Sequence, residues 1–304
     1  MAALVFPWQL GIGDGMKHAF VHIAWMALVL ISARGEEPAQ ADSGFTVLTY
    51  NVLAERTEQA AASRLDALLH QIRDSKADVM AFQEAMPWFI ERLRKEEWLA
   101  GFHPGTDDGS WKPMGGGLFI VSRFPIARAE FFGLPSRQGR GVLVVDVKIP
   151  VPGKRDSERV LRIATVHLES FLEDGAVRAE QLKRVLALLR YAPHALLVGD
   201  FNFGDTEQPE TRTLEPAGVD VWRAIHPNDP GYTWNVEKSP MAKAGSFPNE
   251  PSRRLDRILL RSPHWQVKTV RIIGDTPVSA NKPELFPSDH FGLSAGFVSN
   301  EAKE

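Results

Sequence analysis

The sequence predicts an α+β protein in which sheets pack face to face and helices lie outside. Short apolar runs with strand character outnumber helix-spaced segments between Phe45 and Val298, and polar motifs stand at the ends of those runs. Composition is even from Phe45 onward, with no linker, repeat or low-complexity block, which argues for one domain over 42–304.

The elements follow in order. Phe45 to Tyr50 is a predicted strand ending at Asn51. Helical spacing runs from Ala60 to Ser75, with Leu65, Leu68, Leu69 and Ile72 on one face. Asp78 to Phe82 is a buried strand running into Gln83-Glu84. Pro87 to Leu99 is a helix with proline in its first turn, and its Trp88 and Trp98 are core candidates. Strands follow at Leu118–Ser122, Gly141–Ile149 and Val160–His167. Glu173 to Tyr191 is a long amphipathic helix, and Ala195 to Val198 is a strand leading into Gly199-Asp200. The last strands are Leu255–Leu260, Val267–Ile273 and Phe291–Val298. Two long loops, Phe102–Met114 and Thr206–Arg254, have the length of binding elements. The second holds Tyr232-Thr233-Trp234, a candidate stacking platform.

The chain has 304 residues, 44% of them hydrophobic, enough to bury one large core. Net charge is -3 and the pI is about 6.3. That balance weighs against tight nonspecific duplex binding, which calls for a basic face. There is no cysteine, so disulfide frameworks, thiol nucleophiles and cysteine–zinc sites are all excluded. A metal here must take oxygen or imidazole ligands.

The first 41 residues read as a targeting segment. Met16-Lys17-His18 is a short positive start, Ala19 to Ala33 is almost wholly apolar, and Ala39-Gln40-Ala41 has small-x-small cleavage spacing. The apolar run is short for a membrane span, which needs about 20 residues. Export to a periplasmic or extracellular location is therefore expected, with an uncleaved membrane anchor as the other reading and Met16 as the expected start. Gly11, Gly13 and Gly15 are not followed by a strand-to-helix turn, so they are not read as a phosphate cradle.

Seven polar motifs mark the strand tips: Thr49-Tyr50-Asn51, Phe82-Gln83-Glu84, Ser122-Arg123-Phe124-Pro125, His167-Leu168-Glu169-Ser170, Gly199-Asp200-Phe201-Asn202, Leu255-Asp256-Arg257-Ile258 and Ser288-Asp289-His290. Acids, amides and imidazoles are costly to bury without partners. At one sheet edge they can share a cation and a phosphate, which suggests metal-dependent cleavage of a phosphate ester. Each motif alone is weak.

Together and in this order, the motifs resemble the endonuclease/exonuclease/phosphatase superfamily over most of Phe45–Val298. Asp220-Val221-Trp222, Tyr232-Thr233-Trp234 and Phe286-Pro287-Ser288-Asp289-His290-Phe291-Gly292-Leu293 bring the C-terminal half nearest to its tyrosyl-DNA phosphodiesterase branch. The chain departs from that branch at Tyr50, where tryptophan is usual, at Phe201, where threonine is usual, and at Phe203-Gly204-Asp205, where an arginine-containing segment is usual. The resemblance implies a four-layer α/β/β/α sandwich of two mainly antiparallel sheets. It also implies a Mg²⁺-dependent phosphodiesterase, with Mn²⁺ as a substitute ion, acting as a monomer on a phosphodiester substrate such as DNA or RNA with no protein partner.

Under that resemblance Glu84 is a Mg²⁺ ligand, Mg²⁺ being a cation that prefers oxygen and keeps waters; an acid before Pro87 also suits a helix N-terminus. Asn51 ligates the metal or donates to phosphate, and Asp289 is a metal ligand or a supporting acid. Asp200 orients and deprotonates the attacking water. Asn202 holds a phosphate oxygen, provided Asp200-Phe201-Asn202 stays extended so that alternate residues share a face. An Asx turn is the other reading of that segment. His290 and Asp256 form an imidazole–carboxylate pair, and His167 donates to phosphate. Arg123 braces the acids or is structural. Glu169 and Ser170 extend a substrate rim. Trp234 stacks on a base or aromatic leaving group, or packs as a core or lid residue. Two other functions stay open: hydrolysis of lipid or inositol phosphates, and a noncatalytic binding module on the same fold.

Overall fold

The computed structural model describes residues 44–151 and 157–300, and the expected leader over 1–41 lies outside them. The described residues run β1 (Gly44–Asn51), α1 (Glu58–Asp74), β2 (Val79–Gln83), α2 (Pro87–Arg94), β3 (His103–Pro104), β4 (Phe119–Ser122), β5 (Ile126–Gly133), β6 (Gly141–Pro150) and β7 (Glu158–His167). They continue with α3 (Gly175–Leu189), β8 (Ala195–Asp200), α4 (Glu210–Leu214), β9 (Val219–Asp220), α5 (Val221–Ile225), α6 (Pro240–Gly245), β10 (Asp256–Arg261), β11 (Trp265–Ile273) and β12 (Gly292–Ser299). One six-stranded sheet has the order β11-β12-β1-β2-β4-β3, the other β5-β6-β7-β8-β10-β9. Pairing is antiparallel except at β1–β2 and β7–β8.

Central strands buried on both faces read as continuous apolar runs rather than as alternations, and alternate residues divide between two layers. In β1, Val47 enters the core between the sheets, whereas Leu48 and Tyr50 face α1 and α2. In β8, Leu196 and Val198 face inward, and Leu197 packs outward with Leu182 and Val185 of α3. The result is the expected α/β/β/α order of layers. On α1 all four expected residues, Leu65, Leu68, Leu69 and Ile72, are buried, and the Thr57 side chain caps the helix by accepting from the Ala60 amide at 3.4 Å.

Some expectations need correction. The helix expected over Pro87–Leu99 ends at Arg94, and a separate 3-10 turn covers Glu97–Leu99, so Trp98 leaves the helix that carries Trp88. Both rings are half-buried against the α1/α2 cluster. The long loop over 206–254 contains the short helices α4, α5 and α6. Among the described residues no helix is long and apolar enough to cross a membrane.

Strand direction decides what meets at the site. The parallel registers Asn51↔Gln83 and His167↔Asp200 bring the C-terminal ends of β1, β2, β7 and β8 to one edge. The antiparallel registers Asp256↔Asp200, Val142↔Val166 and Thr49↔Leu293 bring the starts of β10, β6 and β12 to that same edge. β4 runs antiparallel to β2, with Ser122 opposite Val79, so Arg123 lies at the far end of the sheet from Glu84. There Arg123 is exposed, pairs with Asp78 at 3.3 Å and lies over the Phe102 ring. A place at the site, whether bracing the acids or binding substrate, is thus overturned by chain direction, and the structural reading of Arg123 stands.

One core group is poorly satisfied. Tyr50 is fully buried and its hydroxyl has no hydrogen-bond partner. An unpaired buried hydroxyl costs its desolvation without return. Tyr50→Phe is therefore expected to raise stability by about 1 kcal/mol, read from the urea midpoint at unchanged slope.

Candidate active site

The site forms where the two sheets reach their common edge. One layer below it, Gln83 donates from Nε2 to Thr49 Oγ1 (3.2 Å) and across to Thr165 Oγ1 (2.9 Å) on the other sheet. With a side-chain period of two, Asn51 and His167 stand directly above Thr49 and Thr165.

Asn51 bridges two acids. Its Nδ2 donates to Glu84 Oε1 (3.2 Å) and to Asp200 Oδ2 (3.1 Å), and its Oδ1 accepts the Leu53 amide (3.1 Å). Its nitrogen, not its oxygen, faces the carboxylates, so it serves as a donor rather than as the expected metal ligand. Glu84 sits just past β2 at φ +54°, a left-handed conformation that is uncommon and costly for a residue with a side chain. Gly117 makes this bend feasible: a Cβ there would lie 3.0 Å from the Glu84 Cα. Burial raises the Glu84 pKa and the nearby Asp289 charge raises it further.

Asp200 is the convergence point. Its Oδ2 lies 3.5 Å from His167 Nε2 and 3.6 Å from His290 Nε2. Burial opposes its ionisation, but the His290 charge, the His167 ring and the Asn51 and Asn202 hydrogen bonds win, so its pKa is lowered. Asn202 does not continue the strand. Its φ is +56°, its backbone amide donates to Asp200 Oδ1 (3.0 Å), and its Nδ2 donates to the Leu168 carbonyl (3.0 Å). The extended segment expected from Asp200 to Asn202 is therefore replaced by an Asx turn, with Asn202 held next to the His167 strand tip.

The two imidazoles have opposite characters. His290 Nδ1 pairs with Asp256 Oδ2 at 2.9 Å. Burial lowers its pKa, yet the Asp256 and Asp200 charges outweigh burial and raise it well above the usual value. Burial pushes the Asp256 pKa up, with the charged His290 ring pulling against it. Thr233 Oγ1 accepts the Leu255 and Asp256 amides (3.0 and 2.9 Å), fixing this strand start. His167 is held near pKa 3 by burial and by Arg140, and is neutral. Arg140 Nη1 lies 2.8 Å from His167 Nδ1, and an arginine only donates. The neutral ring therefore carries its proton on Nε2, toward Asp200.

Several expected substrate residues do other work. Trp234 is 7% exposed, packs on Ala242 and Leu255, and lies 4.9 Å from the His290 ring at 56°. It packs on the imidazole rather than offering an open face for stacking. Glu169 is fully buried and binds the loop before β6, so it is not a rim residue. Ser170 is half-buried and exchanges hydrogen bonds with Gln138. Asp289 is half-buried, and its Oδ1 accepts the His290 amide at 3.0 Å.

Two arginines escaped the sequence reading. Arg140 precedes β6, and only the antiparallel β6–β7 register brings it beside His167. Arg64 lies on the apolar face of α1 and donates to the carbonyls of Val52 (3.1 Å), Pro287 (2.8 Å) and Leu53, holding the loops after Asn51 and before Ser288. An arginine amid Ala61, Leu65 and Leu68 was a legible signal, since a buried charge needs partners. Behind Asp256, Asp205 Oδ1 binds Arg257 (2.5 Å) and Arg254 (2.6 Å), and Asp205 Oδ2 binds Arg223. Burial raises the Asp205 pKa, but Arg257 and Arg254 hold it well below the usual carboxylate range.

The residues present suit a hard cation. Asp200, Asp256 and His290 have ligand atoms within 4.8 Å of one another. A protonated His290 already engaged by Asp256 is a poor metal ligand, however. Glu84 and Asp289 are both half-buried, the Asp289 charge is felt at Glu84, and the two offer the oxygen donors that Mg²⁺ prefers.

Comparison with known proteins agrees with this geometry. Residues 48–290 match the Endonuclease/Exonuclease/phosphatase family profile. Tyrosyl-DNA phosphodiesterase 2 of Danio rerio is 30% identical over 269 residues, covering 84% of this chain and 67% of that protein. The Homo sapiens protein of the same name is 27% identical over 268 residues, covering 84% and 69%. The crystal structure of D. rerio TDP2 complexed with single-strand DNA product superposes with TM-score 0.66 at 25% identity, covering 84% of this chain and 99% of that one.

Two outcomes follow from the charges. In metal-chelated protein, Asp256→Asn removes the largest charge holding the His290 proton, so an NMR titration should show that ring deprotonating at distinctly lower pH; an unchanged curve would refute the pairing. Asp205→Asn leaves Arg254 and Arg257 short of counter-charge and should cost about 3 kcal/mol at neutral pH. Because the folded pKa of Asp205 is depressed, its contribution is present above the unfolded carboxylate pKa and fades as pH falls through the lower folded value. The urea-midpoint gap between wild type and variant should accordingly narrow in acid.

Proposed function

The chain belongs to the endonuclease/exonuclease/phosphatase family, and from that premise we propose that it is a Mg²⁺-dependent phosphodiesterase acting on single-stranded nucleic acid or on a phosphotyrosyl-type diester. The observation that carries this reading is the position of Asp200, 3.5 and 3.6 Å from the Nε2 atoms of two imidazoles delivered by different sheets. Such an arrangement can surround one phosphate with a carboxylate and two donors. The family relatives that act on tyrosyl-DNA, and the D. rerio TDP2 bound to single-strand DNA product, support the substrate class.

In this reading Asp200, ionised at neutral pH, orients a water in line with the scissile P–O bond and accepts its proton as the new O–P bond forms. The leaving oxygen departs with the electron pair of the broken bond and takes a proton from solvent. His290 Nε2–H and His167 Nε2–H donate to phosphate oxygens as charge grows on them, one as a cation and one as a neutral dipole. Donors aimed at developing charge in a water-poor site contribute most to the rate. Glu84 and Asp289 would hold the divalent ion, which when bound neutralises phosphate charge. Asn51 holds Glu84 and Asp200 at fixed separation.

We also propose, on the leader read in residues 1–41, that the protein lies outside the cytoplasm and, separately, that it acts as a monomer. Cell fractionation and N-terminal sequencing of natively expressed material test the location.

Purified protein should hydrolyse bis-p-nitrophenyl phosphate with Mg²⁺ and stop when the metal is chelated, and a panel should favour 5′-tyrosyl or unmodified single-stranded DNA over sphingomyelin and inositol phosphates. Asp200→Asn should lower kcat by about 10³-fold or more with the fold intact by circular dichroism. A metal-bound, folded wild type inert toward every diester and monoester in the panel would end this proposal.

A further inference from the structure

The loop before β6 is wound around one serine. Ser136 Oγ accepts the backbone amides of Gln138 and Arg140, each at 2.9 Å. With both accepting positions used, the hydroxyl has only its proton left to give, and it donates to Glu169 Oε2 at 2.6 Å. The other carboxylate oxygen, Oε1, accepts the Arg137 amide at 3.0 Å. Gln181 of α3 closes the bracket: its Nε2 donates to the Pro135 carbonyl (2.8 Å) and to Glu169 Oε2 (3.4 Å), and its Oε1 accepts the Glu169 amide (3.1 Å). The Glu169 carbonyl is held by Arg178 Nη1 at 3.1 Å, and Glu169, Gln181 and Arg178 are all buried. The carboxylate therefore has one address, and the loop hangs from it.

What the loop delivers is Arg140. Its Nη1 meets His167 Nδ1 at 2.8 Å, while Nη2 reaches back to Gln138 Oε1 at 3.4 Å. His167 Nε2 lies 3.5 Å from Asp200 Oδ2 and 3.9 Å from Glu84 Oε1. Were the neutral ring to carry its proton on Nδ1, it would confront the guanidinium with a donor and the two carboxylates with a lone pair. Were Arg140 displaced, the Nδ1 side would no longer exclude a proton, and the choice of tautomer would rest on the two carboxylates alone.

We propose that Glu169 is a positioning residue: through Ser136 and the loop to Arg140, it locks His167 in the Nε2–H tautomer that donates into the site. The role of that donor in hydrolysis rests on the phosphodiesterase reading, but the lock itself does not. The glutamate is needed as a carboxylate. A glutamine of the same size can offer one oxygen only, and its amide nitrogen, set against Ser136 Oγ, would bring a donor to a hydroxyl already accepting twice and leave the hydroxyl proton without an acceptor.

The test is ¹⁵N NMR of the His167 ring in metal-chelated protein, with the resonance assigned by a His167→Gln variant. Wild type should show one tautomer, protonated at Nε2 and bare at Nδ1. Glu169→Gln and, independently, Ser136→Ala should each convert it to a mixed or Nδ1–H signal, as Arg140→Ala should do directly. On bis-p-nitrophenyl phosphate, kcat should fall about tenfold or more with KM within about twofold. If Glu169→Gln does not fold, Ser136→Ala decides alone. A folded Glu169→Gln or Ser136→Ala protein that keeps the pure Nε2–H signature overturns the proposal. A wild type showing the signature but no diesterase activity overturns only the function proposed above.

Discussion

Everything at the active edge depends on two sheets holding a fixed registration, and the hydrogen bonds of Gln83 are where that registration is expressed chemically. Most of the inter-sheet core is apolar, and apolar contacts tolerate sliding because they lack direction. Gln83 reaches from β2 to Thr165 on β7 and to Thr49 on β1. Each of these three residues lies just below a residue that shapes the site. A shift of either sheet would break the Gln83–Thr165 bond inside the core and strip one donor of a fully buried amide of that acceptor, a cost of about 1–3 kcal/mol. Distances such as that between Asp200 and His290 can then be set by residues more than thirty positions apart.

Within that frame the site sets two imidazoles against each other. Both are buried, and burial alone would discharge both. His290 escapes because carboxylates stand on two sides of it. His167 does not, because its outer face meets a guanidinium instead. One ring is therefore a charged donor and the other a neutral one, with a single ionised Asp200 between them. Groups of the same type with pKa values pushed apart by their surroundings are a recurring basis for acid–base division of labour.

Buried arginines are the second organising device. Arg64 gathers carbonyls from two site loops, Arg178 gathers those of Glu169 and Phe171, and Arg257 ties Asp205 to the Phe203 carbonyl. The guanidinium fork suits this work because it offers five donors in a rigid plane. Asp205 draws Arg223, Arg254 and Arg257 into one ion-pair knot behind the site, with Asp220 as a second acid on Arg254.

The amino-acid sequence alone showed sheets packed face to face with helices outside, most of the long strands other than β5, and polar motifs at the strand tips, because burial patterns and turn chemistry are local; the site roles of Asn51, Glu84, His167, Asp200, Asp256 and His290 came from the resemblance those motifs carry together. It could not determine which end of each strand reaches the site. Arg123 and Arg140 both flank apolar strands, yet β4 carries the first away from Glu84 while β6 carries the second to His167. Nor could it show that Glu169 turns inward to the loop, that Asn202 bends into a turn, or that Trp234 packs on an imidazole. Those outcomes depend on strand direction, register and the partners a buried polar group finds, and these exist only once distant segments have met.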